Sequence, residues 1–205
     1  MRKDADAPFV LAFTGASGAP YGVRLLQQVV AARRSVSLIV SAHGLRLLNT
    51  ETDIHDVEGL RAAVGGVAWD AFVTVYDDAD RGAAPASGSA RSSGMVICPC
   101  SMGTLASIAA GTSRSLVERA ADVTLKERRP LVLVPRETPL SAIHLENMLR
   151  ITRAGGVVLP ASPGFYHRPS TISELVDFVV GRVLDQLGVE QTLVPRWGDD
   201  AHRHH

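Results

Sequence analysis

The sequence predicts an α/β fold, a three-layer sandwich whose mostly parallel sheet carries helices on both faces. Three observations support this. Continuous apolar runs such as Phe9-Val10-Leu11-Ala12-Phe13 and Leu131-Val132-Leu133-Val134 are short and lack polar alternation, as strands covered on both faces require. Amphipathic helical stretches alternate with them, the pattern of a sheet wrapped by helices. Small-residue turns follow the strands, and such sheets bind ligands outside the carboxyl ends of their strands.

The elements follow in order. The first strand, residues 9–13, ends at Gly15-Ala16-Ser17-Gly18. From Tyr21 to about Arg33 the positions Leu25, Leu26, Val29 and Val30 fall at helical spacing, and residues 36–40 read as a second strand. Residues 49–90 are harder to read. A helix is expected over 57–64 and a strand over 72–76, followed by a loop rich in Gly, Ala, Ser and Pro. Met95-Val96-Ile97-Cys98 is the next buried strand, bounded by Gly94 and Pro99. Ser115 and Glu118 match a capping box for a helix that Pro130 stops, and residues 131–134 form another strand. A helix over 140–153 and a short strand over 157–159 come next. Thr171 and Glu174 cap the last helix, in which Ile172, Leu175, Val176, Val179, Val180, Val183, Leu184 and Leu187 trace one apolar face that ends at Gly188.

With 205 residues, 46% of them hydrophobic, and a mean hydropathy of +0.12, the chain suits one domain over residues 8–188 and a C-terminal tail over 189–205. Lys+Arg and Asp+Glu both number 21, so no electrostatic capture of nucleic acid or of an anionic membrane is expected. The only cysteines, Cys98 and Cys100, are too close for a zinc ribbon and poorly placed for a disulfide. The reading is a reduced, cytoplasmic protein with no membrane span and no metal site. His202, His204 and His205 in the tail are assigned no chemistry.

The candidate chemistry lies in the turns. Gly15-Ala16-Ser17-Gly18, between a strand and a helix, is a phosphate-site candidate, although it lacks the spacing of a dinucleotide fingerprint or a P-loop. Ser101-Met102-Gly103-Thr104 occupies an equivalent place and adds two hydroxyls, while Cys98 reads as a small buried hydrophobe. Arg119 and Lys126 belong to a cation-rich helix that could simply be a solvated face. Arg136-Glu137 directly follows a buried strand, where function concentrates. Tyr166 and Arg182 complete a set suited to a phosphate and an apolar tail.

These pieces stand in a recognisable order. Tyr21-Gly22-Val23-Arg24 follows the first turn. Glu51-Thr52-Asp53 and Ala86-Ser87-Gly88-Ser89 come next, then Cys98-Pro99-Cys100-Ser101 and Leu125-Lys126-Glu127-Arg128-Arg129-Pro130. Arg136-Glu137, His144-Leu145-Glu146-Asn147, Pro163-Gly164-Phe165-Tyr166 and Arg182-Val183-Leu184-Asp185 complete the series. From about residue 9 to 187 the chain resembles the UbiX flavin prenyltransferases, which implies a Rossmann-like or flavodoxin-like flavin-binding domain.

The resemblance implies that Gly15, Ala16, Ser17, Ser41, Ser101, Met102, Gly103, Thr104 and Arg136 hold FMN, with Arg119 nearby. It implies that Lys126, Arg136, Glu137, Tyr166 and Arg182 hold the phosphate of dimethylallyl phosphate. Glu137, Lys126, Ser17 and Glu51 become the catalytic candidates. The implied reaction joins a dimethylallyl group to N5 and C6 of reduced FMN without a metal. The prenylated FMN then serves a UbiD-type decarboxylase. Family members assemble as trimers and dodecamers with sites shared between subunits, so a homo-oligomer is expected. One departure is visible: some members carry a tryptophan just before the Ala-Ser-Gly-Ser element, where this chain has Asp80-Arg81-Gly82-Ala83. Donor chain length and phosphorylation state are therefore left open.

Two other readings compete. An FMN-dependent cysteine decarboxylase would use a catalytic histidine and a Pro-x-Met-Asn clamp; no such clamp occurs, and His43, the one candidate base, reads as a solvated loop residue. A non-catalytic FMN carrier would have no use for the Lys-Glu-Arg-Arg and Arg-Glu elements.

Overall fold

The computed structural model describes residues 7–194; the tail histidines lie outside them. Six strands form one parallel sheet: β1 (Phe9–Phe13), β2 (Val36–Val40), β3 (Val73–Tyr76), β4 (Gly94–Cys100), β5 (Leu131–Pro135) and β6 (Val157–Val158). Their order is β3-β2-β1-β4-β5-β6, and all five pairings are parallel. The order reverses between β1 and β4. That places a crevice at the carboxyl ends of these two central strands, as the sequence predicted for a doubly wound sheet. β1, β4 and β5 are buried throughout because helices cover both faces.

The helices are α1 (Ala19–Ala31), α2 (Ala42–Glu51), α3 (Val57–Val64), α4 (Gly66–Phe72), α5 (Met102–Ala110), α6 (Leu116–Lys126), α7 (Ala142–Arg153) and α8 (Ile172–Leu187). Two apolar clusters fix the layers. Leu25, Leu26 and Val29 of α1 pack with Leu48, Leu60, Trp69, Val180, Val183 and Leu184, so α1 to α4 and α8 share one face of the sheet. Leu105, Leu116, Ala120 and Ile151 pack with Ile97 and Leu133, so α5, α6 and α7 share the other.

The predicted caps form. Ser115 accepts from the Glu118 amide and Thr171 from the Glu174 amide. Glu118 does not reach back to its cap residue as a capping box would; its carboxylate accepts from the Arg114 amide and the Thr112 hydroxyl. The helix expected from residue 140 starts at Ala142, because Ser141 caps it and His144 reaches back to complete the box. Residues 189–194 stay with the domain: Val189 is buried, and the side chain of Val194 lies against Gly181 of α8.

α2 and α4 were not anticipated. α2 buries only Gly44 and Leu48, and α4 only Trp69, so neither shows a helical stripe. His43, read as a loop residue, lies in the first turn of α2.

The candidate active site at the carboxyl rim

Four strand ends meet at the crevice, and the chain joins them by its own hydrogen bonds. Thr14, after β1, donates its hydroxyl to Pro99 O at 3.0 Å and accepts from the Ser101 amide at 2.9 Å. Thr14 is 2% exposed, so this pair of bonds clamps the β1 and β4 turns together in a water-poor setting. Ser41, after β2, takes its amide to Phe13 O and caps α2 through the Gly44 amide. Ser101 caps α5 through the Thr104 amide, and its hydroxyl meets that of Thr104 at 2.9 Å. Arg136, after β5, donates to Ser17 O at 3.4 Å across 119 residues of sequence.

Two glycines set how closely the helices approach this rim. A Cβ at Gly22 would lie 2.5 Å from Cys98 O, and one at Gly44 would lie 2.4 Å from Phe13 O. Neither contact tolerates a side chain, so these glycines near the helix starts compensate for their backbone entropy by letting the helices sit directly on the strand ends. Gly15 has the same need, since a Cβ there would meet that of His43 at 2.6 Å. His43 therefore packs on the first turn.

Glu51, at the end of α2, has a role that sequence alone did not show. Its Oε2 accepts from the amides of Gly18 and Ala19, both at 2.8 Å, at the amino terminus of α1. Burial opposes ionisation of this carboxyl. Hydrogen bonds from Ser17, Gly18 and Ala19 and the charge of Arg136 outweigh that and hold it below the usual carboxylate range. The phosphate-site candidate of the first turn is thus filled by the protein's own anion. The helices α2 and α5, which directly follow the carboxyl ends of β2 and β4, each begin with a hydroxyl cap residue, Ser41 and Ser101.

Cys98 and Cys100 are free and fully buried, and burial pushes both thiols well above their ordinary range, so they act as apolar packing. Among the described residues no group of His, Cys, Asp and Glu could hold a metal ion, and no helix is long and apolar enough to cross a membrane.

The other predicted residues lie elsewhere. Glu137 is exposed beside Arg136, with Oε1 accepting from the Thr138 amide. Arg119 sits in the first turn of α6, paired with Asp122 at 2.8 Å. Lys126 shares its helical face about 10 Å farther down, seven residues at 1.5 Å each. Lys126 lies toward the amino ends of β4 and β5, where Pro130 O receives the Met95 amide. Tyr166 and Arg182 line a cleft of about 560 Å³ on α8, with Phe178 and Asp185. The Tyr166 ring meets Phe178 edge-on at 5.7 Å, and Arg182 pairs with Asp185 at 3.1 Å. Because α6 and α8 belong to opposite layers, the sheet separates Lys126 from Tyr166 and Arg182 within one chain.

Comparison with known proteins decides the family. A profile described as Flavoprotein matches residues 1–184. The flavin prenyltransferase UbiX of Pseudomonas aeruginosa is 50% identical over 200 residues, covering 92% of this chain and 93% of its own. The chain belongs to the UbiX flavin prenyltransferases. A crystal structure of AnUbiX (PadA1) in complex with FMN and dimethylallyl pyrophosphate superimposes with a TM-score of 0.86 at 42% identity, covering 94% of this chain and 97% of that one. A dodecameric FMN-dependent Ubix-like decarboxylase from Escherichia coli O157:H7 gives 0.84 at 44% identity, covering 93% and 98%.

The donor set at the rim fits FMN. Ser41, Ser101 and Thr104 are hydroxyl groups at helix amino termini, where backbone amides favour an anion, and the exposed Gly103 leaves open space beside them.

Proposed function

We propose that this chain is a flavin prenyltransferase that transfers the dimethylallyl group of dimethylallyl phosphate to N5 and C6 of reduced FMN, giving prenylated FMN for a UbiD-type decarboxylase. The observation that carries this reading is the hydrogen-bonded rim of Ser17, Ser101 and Arg136, in a chain 50% identical to a flavin prenyltransferase.

When bound, reduced FMN supplies the two nucleophilic positions that take the five-carbon unit. The residues of this chain do the rest. Gly15, Ala16, Ser17, Ser41, Arg136 and residues 101–104 hold the flavin, with Arg119 close by. Lys126, Arg136 and Arg182 present fixed positive charge to the phosphate, which stabilises it as it leaves with the electron pair of the breaking C–O bond. Tyr166 supplies a hydroxyl and an aromatic wall that excludes water from the developing allyl cation. The proton that leaves C6 goes to the released phosphate, to the Glu137 carboxylate or through the Ser17 hydroxyl. Glu51, held ionised, fixes the first turn and adds negative charge near the cation.

The sheet keeps Lys126 apart from Tyr166 and Arg182 in one chain, so the phosphate grip is completed between copies. Lys126 from one neighbouring copy, and Arg182 and Tyr166 from another, meet the rim in a closed homo-oligomer. The test is direct. Purified protein supplied anaerobically with reduced FMN and dimethylallyl phosphate should yield a flavin heavier by one C5 unit in the mass spectrum, and recovery of unchanged flavin alone would refute the reading.

A further inference from the structure

The end of α6 carries an ion pair that helix geometry does not explain. Lys126 Nζ contacts Glu127 Oε1. Neighbouring residues of a helix do not face each other. Here they meet because the helix stops at Lys126 and Glu127 is its C-cap residue, with φ −83° and ψ 4°. The pair rests on Gly88, where a Cβ would lie 2.6 Å from Lys126 Nζ and 2.5 Å from Glu127 Oε1. Arg129 Nη2 holds that loop in place through Gly88 O at 3.0 Å. The bond from Lys126, its charge and that of Arg129 keep the Glu127 carboxyl below its ordinary range. Both side chains are partly exposed, so a soluble anion can reach them.

We infer that Glu127 is the resident counter-ion of Lys126 and sets the phosphorylation state of the prenyl donor. This rests on the reading of Lys126 as a phosphate ligand. A prenyl monophosphate carries about −1.5 to −2 at neutral pH, and a diphosphate carries on the order of one more negative charge. Either anion must displace the Glu127 carboxylate from Lys126 and then lie beside it. The repulsion grows with the charge of the incoming group, so the fixed carboxylate favours the monophosphate. Gly88 is part of the device, because a Cβ there would displace the ends of both side chains from their present positions.

The experiment measures binding, not turnover, by calorimetry of inorganic phosphate and inorganic pyrophosphate on the FMN-loaded protein. Glu127→Gln should raise pyrophosphate affinity relative to phosphate affinity by about two- to fivefold, the scale of a partly exposed ion pair. Gly88→Ala should shift the ratio in the same direction. A ratio unchanged in Glu127→Gln, or equal weakening of both anions, overturns the inference, while loss of both in Lys126→Ala would keep the phosphate role of Lys126. If Lys126→Ala leaves both affinities intact, that role fails and the inference fails with it.

Discussion

The carboxyl rim of the sheet and the exposed ends of α6 and α8 are built differently. At the rim, Thr14 is tied to Pro99 and Ser101, and Arg136 to Ser17, by bonds that span 85 to 119 residues of sequence, partly out of water. Lys126, Tyr166 and Arg182 hang on two faces separated by the sheet, and the ion pairs of Lys126 and Arg182 are to neighbours one and three residues away. The flavin half of the site is therefore a property of the folded chain. The phosphate half needs association to assemble it.

Substitutions in the two regions should separate accordingly. The largest effect is expected on chemistry alone. Lys126→Ala should lower prenylation by about 10²- to 10³-fold, the scale of losing one charged donor to a developing anion. Retained FMN, read from its absorbance, should accompany the loss, because Lys126 lies off the rim. Gly22→Ala should act in the opposite sense. Its Cβ would meet Cys98 O at 2.5 Å and Phe13 Cε1 at 2.9 Å. Overpacking of that kind costs about 1–3 kcal/mol, so Tm should fall by roughly 5 °C and flavin should be lost with it. Thr14→Val leaves the Ser101 amide without its partner. A loss of about 1–2 kcal/mol in chemical denaturation and a weaker grip on FMN should follow.

The smallest effect concerns pH. The folded value of Glu51 lies below its ordinary 4.5, so its stabilisation is fully present above that pH and is lost as pH falls through the folded value. Wild type should exceed Glu51→Gln in Tm at pH 7, and the gap should close in thermal melts below pH 4.5. A gap that widened with acid would contradict the hydrogen-bonded, ionised carboxylate at α1.

The division also explains what the sequence could reveal. Buried strands and the long amphipathic α8 were legible because burial imposes local periodicity. α2 and α4 bury too few residues to leave a stripe. The rim candidates were legible because chemistry gathers at strand ends, and the family resemblance supplied their roles. The clamp by Thr14 and the capture of the α1 terminus by Glu51 were not, since both join residues more than thirty apart and leave no local pattern. The placement of Lys126 and Arg182 on opposite layers was equally hidden, because helix periodicity does not say which face of the sheet a helix covers.

Subunit mixing tests the divided site most directly. Arg136→Ala removes a rim residue and Arg182→Ala removes one from α8, and each alone should be nearly inactive. Co-assembled in equal amounts, the two should regain prenylation at about a quarter of the sites, half of one partner times half of the other. Mixed oligomers no more active than the parent variants would place both arginines in one chain's site and contradict the account.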